Sequence, residues 1–180
     1  MRKAQYQEGV RYKNGEGVGI DKVASFQWFQ LAGNQGHALA QFNLALCYYY
    51  GMGVPLDQIE GFRWFQLAAE QGHARAQFNL GVCFDNGKCI PIDKVEAFRW
   101  FHLAADQGIA IAQFNIGLCF YKGSGVAIDQ IEAVRWFELA AEQGHRRAQY
   151  NLGICYENGQ GVPKDKAVSD AWYYLAKNNK

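Results

Sequence analysis

Between Ala38 and Tyr50 the residues Ala40, Leu44, Ala45, Cys47 and Tyr48 recur at helical spacing, and Phe42, Leu46 and Tyr49 add a second stripe. The pattern predicts a helix that is apolar around much of its circumference, hence an inner helix, here called A. Gly51 supplies the left-handed residue that ends it, and Gly53-Val54-Pro55 turns the chain. Asp57 then stands where an N-cap is needed, and Glu60 three residues later completes a capping-box pattern that returns at Asp93/Glu96 and Asp129/Glu132. A second helix, B, is expected to bury Ile59, Phe62, Trp64, Phe65, Leu67, Ala68 and Ala69 and to turn Gln58, Arg63, Gln66 and Glu70 to water. Gly72 stops it, and His73 leads into the next A helix.

The whole pattern repeats every 36 residues. Tryptophans stand at Trp28, Trp64, Trp100, Trp136 and Trp172, aspartates at Asp21, Asp57, Asp93, Asp129 and Asp165, and core cysteines at Cys47, Cys83, Cys119 and Cys155. Laying His73 to Gly108 under His37 to Gly72 gives 21 identities in 36 positions, which points to recent duplication or consensus design. A unit that recurs without insertion stacks on its neighbours. The expected architecture is therefore one all-α domain over residues 1–180, with units near 1–36, 37–72, 73–108, 109–144 and 145–180 and ten helices.

Composition narrows the picture. An apolar content of 49% with 15% aromatics is enough to build a continuous core. A net charge of +1 gives no long-range attraction for nucleic acid or an anionic membrane. No stretch approaches the ~20 apolar residues of a membrane span, and Met1 to Val10 lacks the apolar core of a signal peptide, so a soluble, cytoplasmic monomer is expected. Equivalent points on stacked helices lie roughly 10 Å apart, beyond disulfide reach, so the four repeated cysteines are expected to be buried free thiols. Cys89 occupies the place of Gly17, Gly53, Gly125 and Gly161, where a reactive loop thiol is weighed against a tolerated substitution.

The strings Ala76-Gln-Phe-Asn-Leu-Gly-Val-Cys-Phe, Asp85-Asn-Gly and Ala97-Phe-Arg-Trp-Phe-His-Leu-Ala-Ala-Asp-Gln-Gly resemble the Sel-1-like repeat, a relative of the tetratricopeptide repeat. The resemblance implies a right-handed α-α superhelix, a solenoid of five 36-residue helix-turn-helix repeats with A helices lining the concave face, and an adaptor role in protein complexes. Relatives with a disulfide in each unit are linked to β-lactam binding, but Ala69 and Gln77 stand at those places in this chain. The Lys and Asn of a tetratricopeptide carboxylate clamp are likewise replaced by Phe42, Phe78, Phe114, Leu46, Val82 and Leu118.

Candidate chemistry is sparse. His37, His73 and His145 recur at the junctions, but Ile109 breaks the series, and a structural turn role is expected rather than a metal. No catalytic constellation breaks the repeat, so no cofactor and no enzymatic activity are expected. Asn43, Asn79, Asn115 and Asn151 are unfavourable inside helices, so each should bond to the neighbouring repeat or join a ladder that grips a peptide backbone. Specificity is expected at A-helix positions that vary: Leu39, Arg75, Ile111 and Arg147; Tyr49, Asp85, Tyr121 and Glu157; Tyr50, Asn86, Lys122 and Asn158. A protein or peptide partner fits this mixture of rings and charges. The alternatives are a hydrolase or β-lactam binder like the disulfide-rich branch, or a designed array with no partner. Polar substitutions at Glu8, Arg11, Asp170 and Lys177 are expected to cap the two ends of the array.

Overall fold

The computed structural model describes residues 1–178. Among them are ten helices and no strand: α1 (Arg2–Asn14), α2 (Lys22–Gly33), α3 (Ala38–Tyr50), α4 (Gln58–Glu70), α5 (Ala74–Asn86), α6 (Lys94–Asp106), α7 (Ala110–Lys122), α8 (Gln130–Glu142), α9 (Arg146–Asn158) and α10 (Lys166–Asn178). Odd-numbered helices are the A helices and even-numbered ones the B helices. The chain forms two compact units, Met1–Ile92 and Asp93–Lys180.

The B helices start, and the A helices stop, for a local reason. Asp57 Oδ1 accepts the Glu60 N–H at 2.9 Å, and Asp21, Asp93, Asp129 and Asp165 cap their own B helices in the same way. The return half of the capping box is replaced. The carboxylates of Glu60, Glu96 and Glu132 turn to Arg63, Arg99 and Arg135 one turn on, since an exposed guanidinium offers a charged donor where the box offers a backbone N–H. A helices end at left-handed glycines such as Gly51, whose N–H returns to Cys47 O.

In the first unit Phe29, Ala32, Ala40, Leu44 and Cys47 form a buried cluster, with Tyr6, Val10, Phe26, Tyr48, Met52, Val54 and Trp64 packed around it. The second unit repeats the arrangement with Phe114, Ala133, Val134, Phe137, Ala140, Ala141, Ala148, Leu152 and Cys155. Alanine and glycine at the facing positions let A and B helices approach closely. A Cβ added to Gly117 would fall 2.5 Å from the Phe137 ring, so the missing methyl is the space the ring occupies.

Two expectations for the B helices need correction. Ile59 and Leu67 are 58% and 43% exposed, not buried. The buried stripe of α4 runs through Gly61, Phe65, Ala68 and Ala69, and Ile59 lies ~160° around the helix from Gly61 at 3.6 residues per turn. The tryptophans behave as supporting residues: Trp100 is buried and the other four are half-buried.

Cys47, Cys83, Cys119 and Cys155 are buried and free, as the repeat position implied. Burial pushes the thiols of Cys47 and Cys155 up to about 11, so both stay protonated at neutral pH. Glu8 and Arg11 form a half-exposed ion pair at 3.4 Å, and exposed Asp170 faces Lys166 at 3.4 Å. Lys177 is exposed.

Candidate partner-binding face

The junction histidines are N-caps. Nδ1 of His37, His73 and His145 accepts the backbone N–H of Ala40, Ala76 and Ala148 at 3.3, 3.1 and 3.2 Å. The rings of His37 and His73 stack on Tyr6 and Phe42 of the preceding repeats, and that of His145 lies tilted against Phe114, with centroids 4.8, 4.5 and 4.6 Å apart. Burial, the largest cause in each case, holds all three below the ordinary histidine value. Ile109 starts α7 without a side-chain cap. No group of three or more metal-ligating side chains is gathered anywhere among the described residues.

The repeated glutamines join one repeat to the next. Nε2 of Gln41, Gln77, Gln113 and Gln149 donates to a carbonyl near the end of the preceding B helix at 3.1–3.4 Å. At Gln41 and Gln113 the side-chain oxygen also accepts Gln71 and Gln143 at 2.6 and 2.8 Å. All four glutamines are nearly inaccessible, so these bonds satisfy amides that burial would otherwise leave stranded.

Three of the four asparagines bond within their own helix. Nδ2 of Asn43, Asn79 and Asn115 donates to the carbonyl four residues back in its own helix, on Leu39, Arg75 and Ile111, at 2.8, 2.8 and 2.7 Å. The local carbonyl is always within reach of a short amide one turn on, and it offsets the poor helix propensity. Asn43 also accepts Lys13 Nζ at 2.9 Å, which does reach across to the neighbouring A helix.

The variable positions fall into three environments. Leu39, Arg75, Ile111 and Arg147 are exposed near the starts of their helices, with the two aliphatic side chains 43% and 44% accessible. Tyr50, Asn86, Lys122 and Asn158 are exposed at the ends, Tyr50 to 60%. The third column is mixed. Tyr49 and Tyr121 are half-buried, packed on Phe65 and Phe137 at 5.8 and 6.3 Å, and Tyr121 donates to Gln160 at 2.8 Å in the next turn. Both rings therefore pack into the repeat as well as bordering its surface. Asp85 is half-buried, and exposed Glu157 accepts the Tyr173 hydroxyl at 2.8 Å.

Three surface depressions involve these residues. A cleft of about 230 Å³ between α1 and α3 is lined in part by Lys13, Asn43 and Cys47, and one of about 170 Å³ between α7 and α9 brings together Tyr121, Lys122 and Asn151. A larger groove of about 870 Å³ runs over Arg146, Arg147, Tyr150, Asn151, Tyr173 and Lys177. Tyr150 is the repeat counterpart of Phe114, which packs against the His145 ring of the next repeat, so this groove presents a surface of the kind repeats use to pack on one another. Lys13 and the groove residues Arg146, Tyr150 and Tyr173 were not anticipated. Lys13 was within reach, because it occupies the same repeat column as Tyr49.

The Sel1 repeat sequence model matches residues 2–37, 38–73, 74–109, 110–145 and 146–179. The chain belongs to the Sel1 repeat family. It is similar to a Sel1 repeat protein from Oxalobacter formigenes, with 35% identity, a TM-score of 0.93, and 99% of this chain and 71% of that one covered. It is also similar to c5321, a protective antigen present in uropathogenic Escherichia coli strains displaying an SLR fold. That match has 37% identity and a TM-score of 0.95, and spans 98% of this chain but only 38% of that protein. Cysteine rich protein B of Helicobacter pylori matches in fold alone, at 21% identity and a TM-score of 0.57, covering 72% of this chain and 92% of that one. Comparison with curated proteins gave no match.

As a Sel1 repeat protein the chain is an all-α solenoid, in a family whose members are commonly protein-interaction scaffolds and typically non-catalytic. The places at which a disulfide-rich relative would carry cysteines hold Ala69 and Gln77, and here Gln77 Nε2 donates to Ala69 O at 3.2 Å. A hydrogen bond thus ties the B helix to the next A helix. Among the described residues no helix is long and apolar enough to cross a membrane.

Proposed function

We propose that this chain is a non-enzymatic adaptor that holds a protein or peptide on the exposed surface of its A helices. The observation that supports this most is the convergence of variable Tyr121 and Lys122 with repeated Asn151 around one cleft between α7 and α9. Invariant residues spend their polar atoms on the repeat itself, as the glutamines and histidines do. The columns that change from unit to unit include the exposed Leu39, Tyr50, Arg75, Ile111, Lys122 and Arg147. Aromatic and arginine anchors surrounded by adaptable polar groups suit a peptide or protein surface.

The test is capture with the chain as bait, comparing the native sequence with Tyr50→Ala/Lys122→Glu/Arg147→Glu. These three side chains are exposed, so the variant should keep its melting temperature within about 2 °C, as surface substitutions usually do. A specific partner should be retained at least about tenfold less well, the effect of losing one or two anchors. Equal retention by a folded variant would place the binding surface elsewhere.

A further inference from the structure

The turn after the A helix carries a left-handed glycine at one position in four of the five repeats. Gly17, Gly53, Gly125 and Gly161 adopt φ of 71–76°. A Cβ on Gly53 or Gly125 would lie 2.0 Å from the carbonyl oxygen of Lys22 or Lys94, and one on Gly161 would lie 2.1 Å from that of Gln130. Cys89 occupies this position in the third repeat and does not share the conformation, since no non-glycine residue among those described has positive φ. The turn reorganises around it. Met52, Ser124 and Gln160 return their N–H to the carbonyl of the repeat's core cysteine, whereas Lys88 gives its N–H to Asn86 Oδ1 at 3.0 Å.

The altered turn brings two sulfurs together. Cys89 Sγ lies 3.3 Å from Sγ of Cys83, the core cysteine of α5, and donates to it. A disulfide bond of about 2.05 Å is roughly 1.2 Å closer, a shift that a side-chain rotation and a small movement of the turn supply. Cys83 is 1% exposed, while Cys89 is half-exposed and open to a small oxidant. Burial, with the Cys89 hydrogen bond, holds the Cys83 thiol well above its ordinary range, so it resists direct oxidation and acts only on a sulfur already in contact with it. The Tyr49 hydroxyl is hydrogen-bonded to Cys89, which links the pair to the A-helix surface of the preceding repeat.

We propose that Cys83 and Cys89 form a redox-active dithiol that closes to an intramolecular disulfide on reaction with a hydroperoxide. The Cys89 sulfur takes one oxygen from the peroxide, giving a sulfenic acid and releasing an alcohol or water. The Cys83 sulfur then forms the S–S bond, and the sulfenic hydroxyl departs with the Cys83 proton as water. One hydroperoxide is consumed per disulfide, and a thiol reductant reverses the step. Closure fixes the turn after α5 and removes the thiol that holds Tyr49. The dithiol chemistry does not depend on the adaptor reading, so either can fail alone.

The test uses the full chain, reduced, treated with about one equivalent of hydrogen peroxide, alkylated under denaturing conditions and weighed intact. The expected product is 2 Da lighter than the reduced chain before alkylation, takes up three alkyl groups instead of five after it, and yields a tryptic linkage between Ala76–Lys88 and Cys89–Lys94. Reduction should restore all five thiols. Cys89→Gly, which copies the other repeats, and Cys89→Ser should remain folded by circular dichroism and give no product lighter by 2 Da. Over-oxidation of Cys89 with Cys83 still alkylatable, an intermolecular dimer, or a disulfide persisting in the Cys89 variants would each overturn the proposal.

Discussion

Gly53→Ala and Gly17→Ala make the same chemical change at the same repeat position, with φ of 76° and 71°, but in different surroundings. Both variants incur the cost of holding an L-residue in the left-handed region, roughly 1–2 kcal/mol. At Gly17 the new methyl meets nothing nearer than Arg11 Nη2 at 3.9 Å, the mobile end of a flexible side chain. At Gly53 it would sit 2.0 Å from Lys22 O, 2.4 Å from Lys22 C and 2.9 Å from Val23 N, all backbone atoms of the first turn of α2. Backbone cannot rotate aside, so repeats must separate locally, adding roughly 1–3 kcal/mol as overpacking does. The expected totals are about 1.5 kcal/mol for Gly17→Ala and about 3.5 kcal/mol for Gly53→Ala, a difference of roughly 4–8 °C in melting temperature for a chain of this size. Thermal melts should be paired with amide exchange, because repeat arrays can open locally before they melt globally. Faster exchange near Val23 and Ala24, whose amides Asp21 caps, is expected in Gly53→Ala alone. Melting temperatures equal within about 1 °C would refute the idea that close backbone approach, rather than φ alone, fixes this glycine.

Two further outcomes follow from the caps and the asparagines. The folded values of His37, His73 and His145 lie below the unfolded value of 6.5, so their stabilisation is complete above pH 6.5 and is lost as pH falls through the lowered values. Urea melts between pH 7.5 and 5 should show this loss, and replacing all three with Asn, which caps without titrating, should flatten the profile; an unchanged profile would reject the assignment. Asn79→Ala removes a side chain bonded to Arg75 O in its own helix and installs a better helix former, so stability should change by less than about 0.5 kcal/mol or rise slightly. A loss above about 1.5 kcal/mol on chemical denaturation would mean the amide supports more than its own helix.

Much of the fold was legible because each repeat writes its own boundaries. Asp57 and Gly51 act on atoms within a few residues of themselves, so their roles can be read from spacing alone. Gln41 and Gln113 were visible as a repeated column, but not as bonds to Gly33 and Ala105, because a sequence column does not say which neighbour an amide meets. Ile59 and Leu67 were misplaced for a related reason: apolar character sets only an average tendency to bury, and the helix rotation that closes on Gly61 and Phe65 leaves them outside.

The candidate surface shows the same division. The columns headed by Leu39 and Tyr50 could be picked out because they vary while their neighbours do not, and their side chains are exposed. Tyr49 and Tyr121 could not be separated from them in sequence, since their anchoring depends on Phe65, Phe137 and Gln160 folding against them.

The sequence by itself determined the period, the helices and their caps, and the family, because those follow from interactions spanning a turn or two of chain. Tertiary structure alone decided which asparagine oxygen meets Lys13, which glycine cannot carry a methyl, and that Cys89 lies against Cys83. Those facts depend on distances between segments, and at Cys89 one substituted glycine is enough to change the turn.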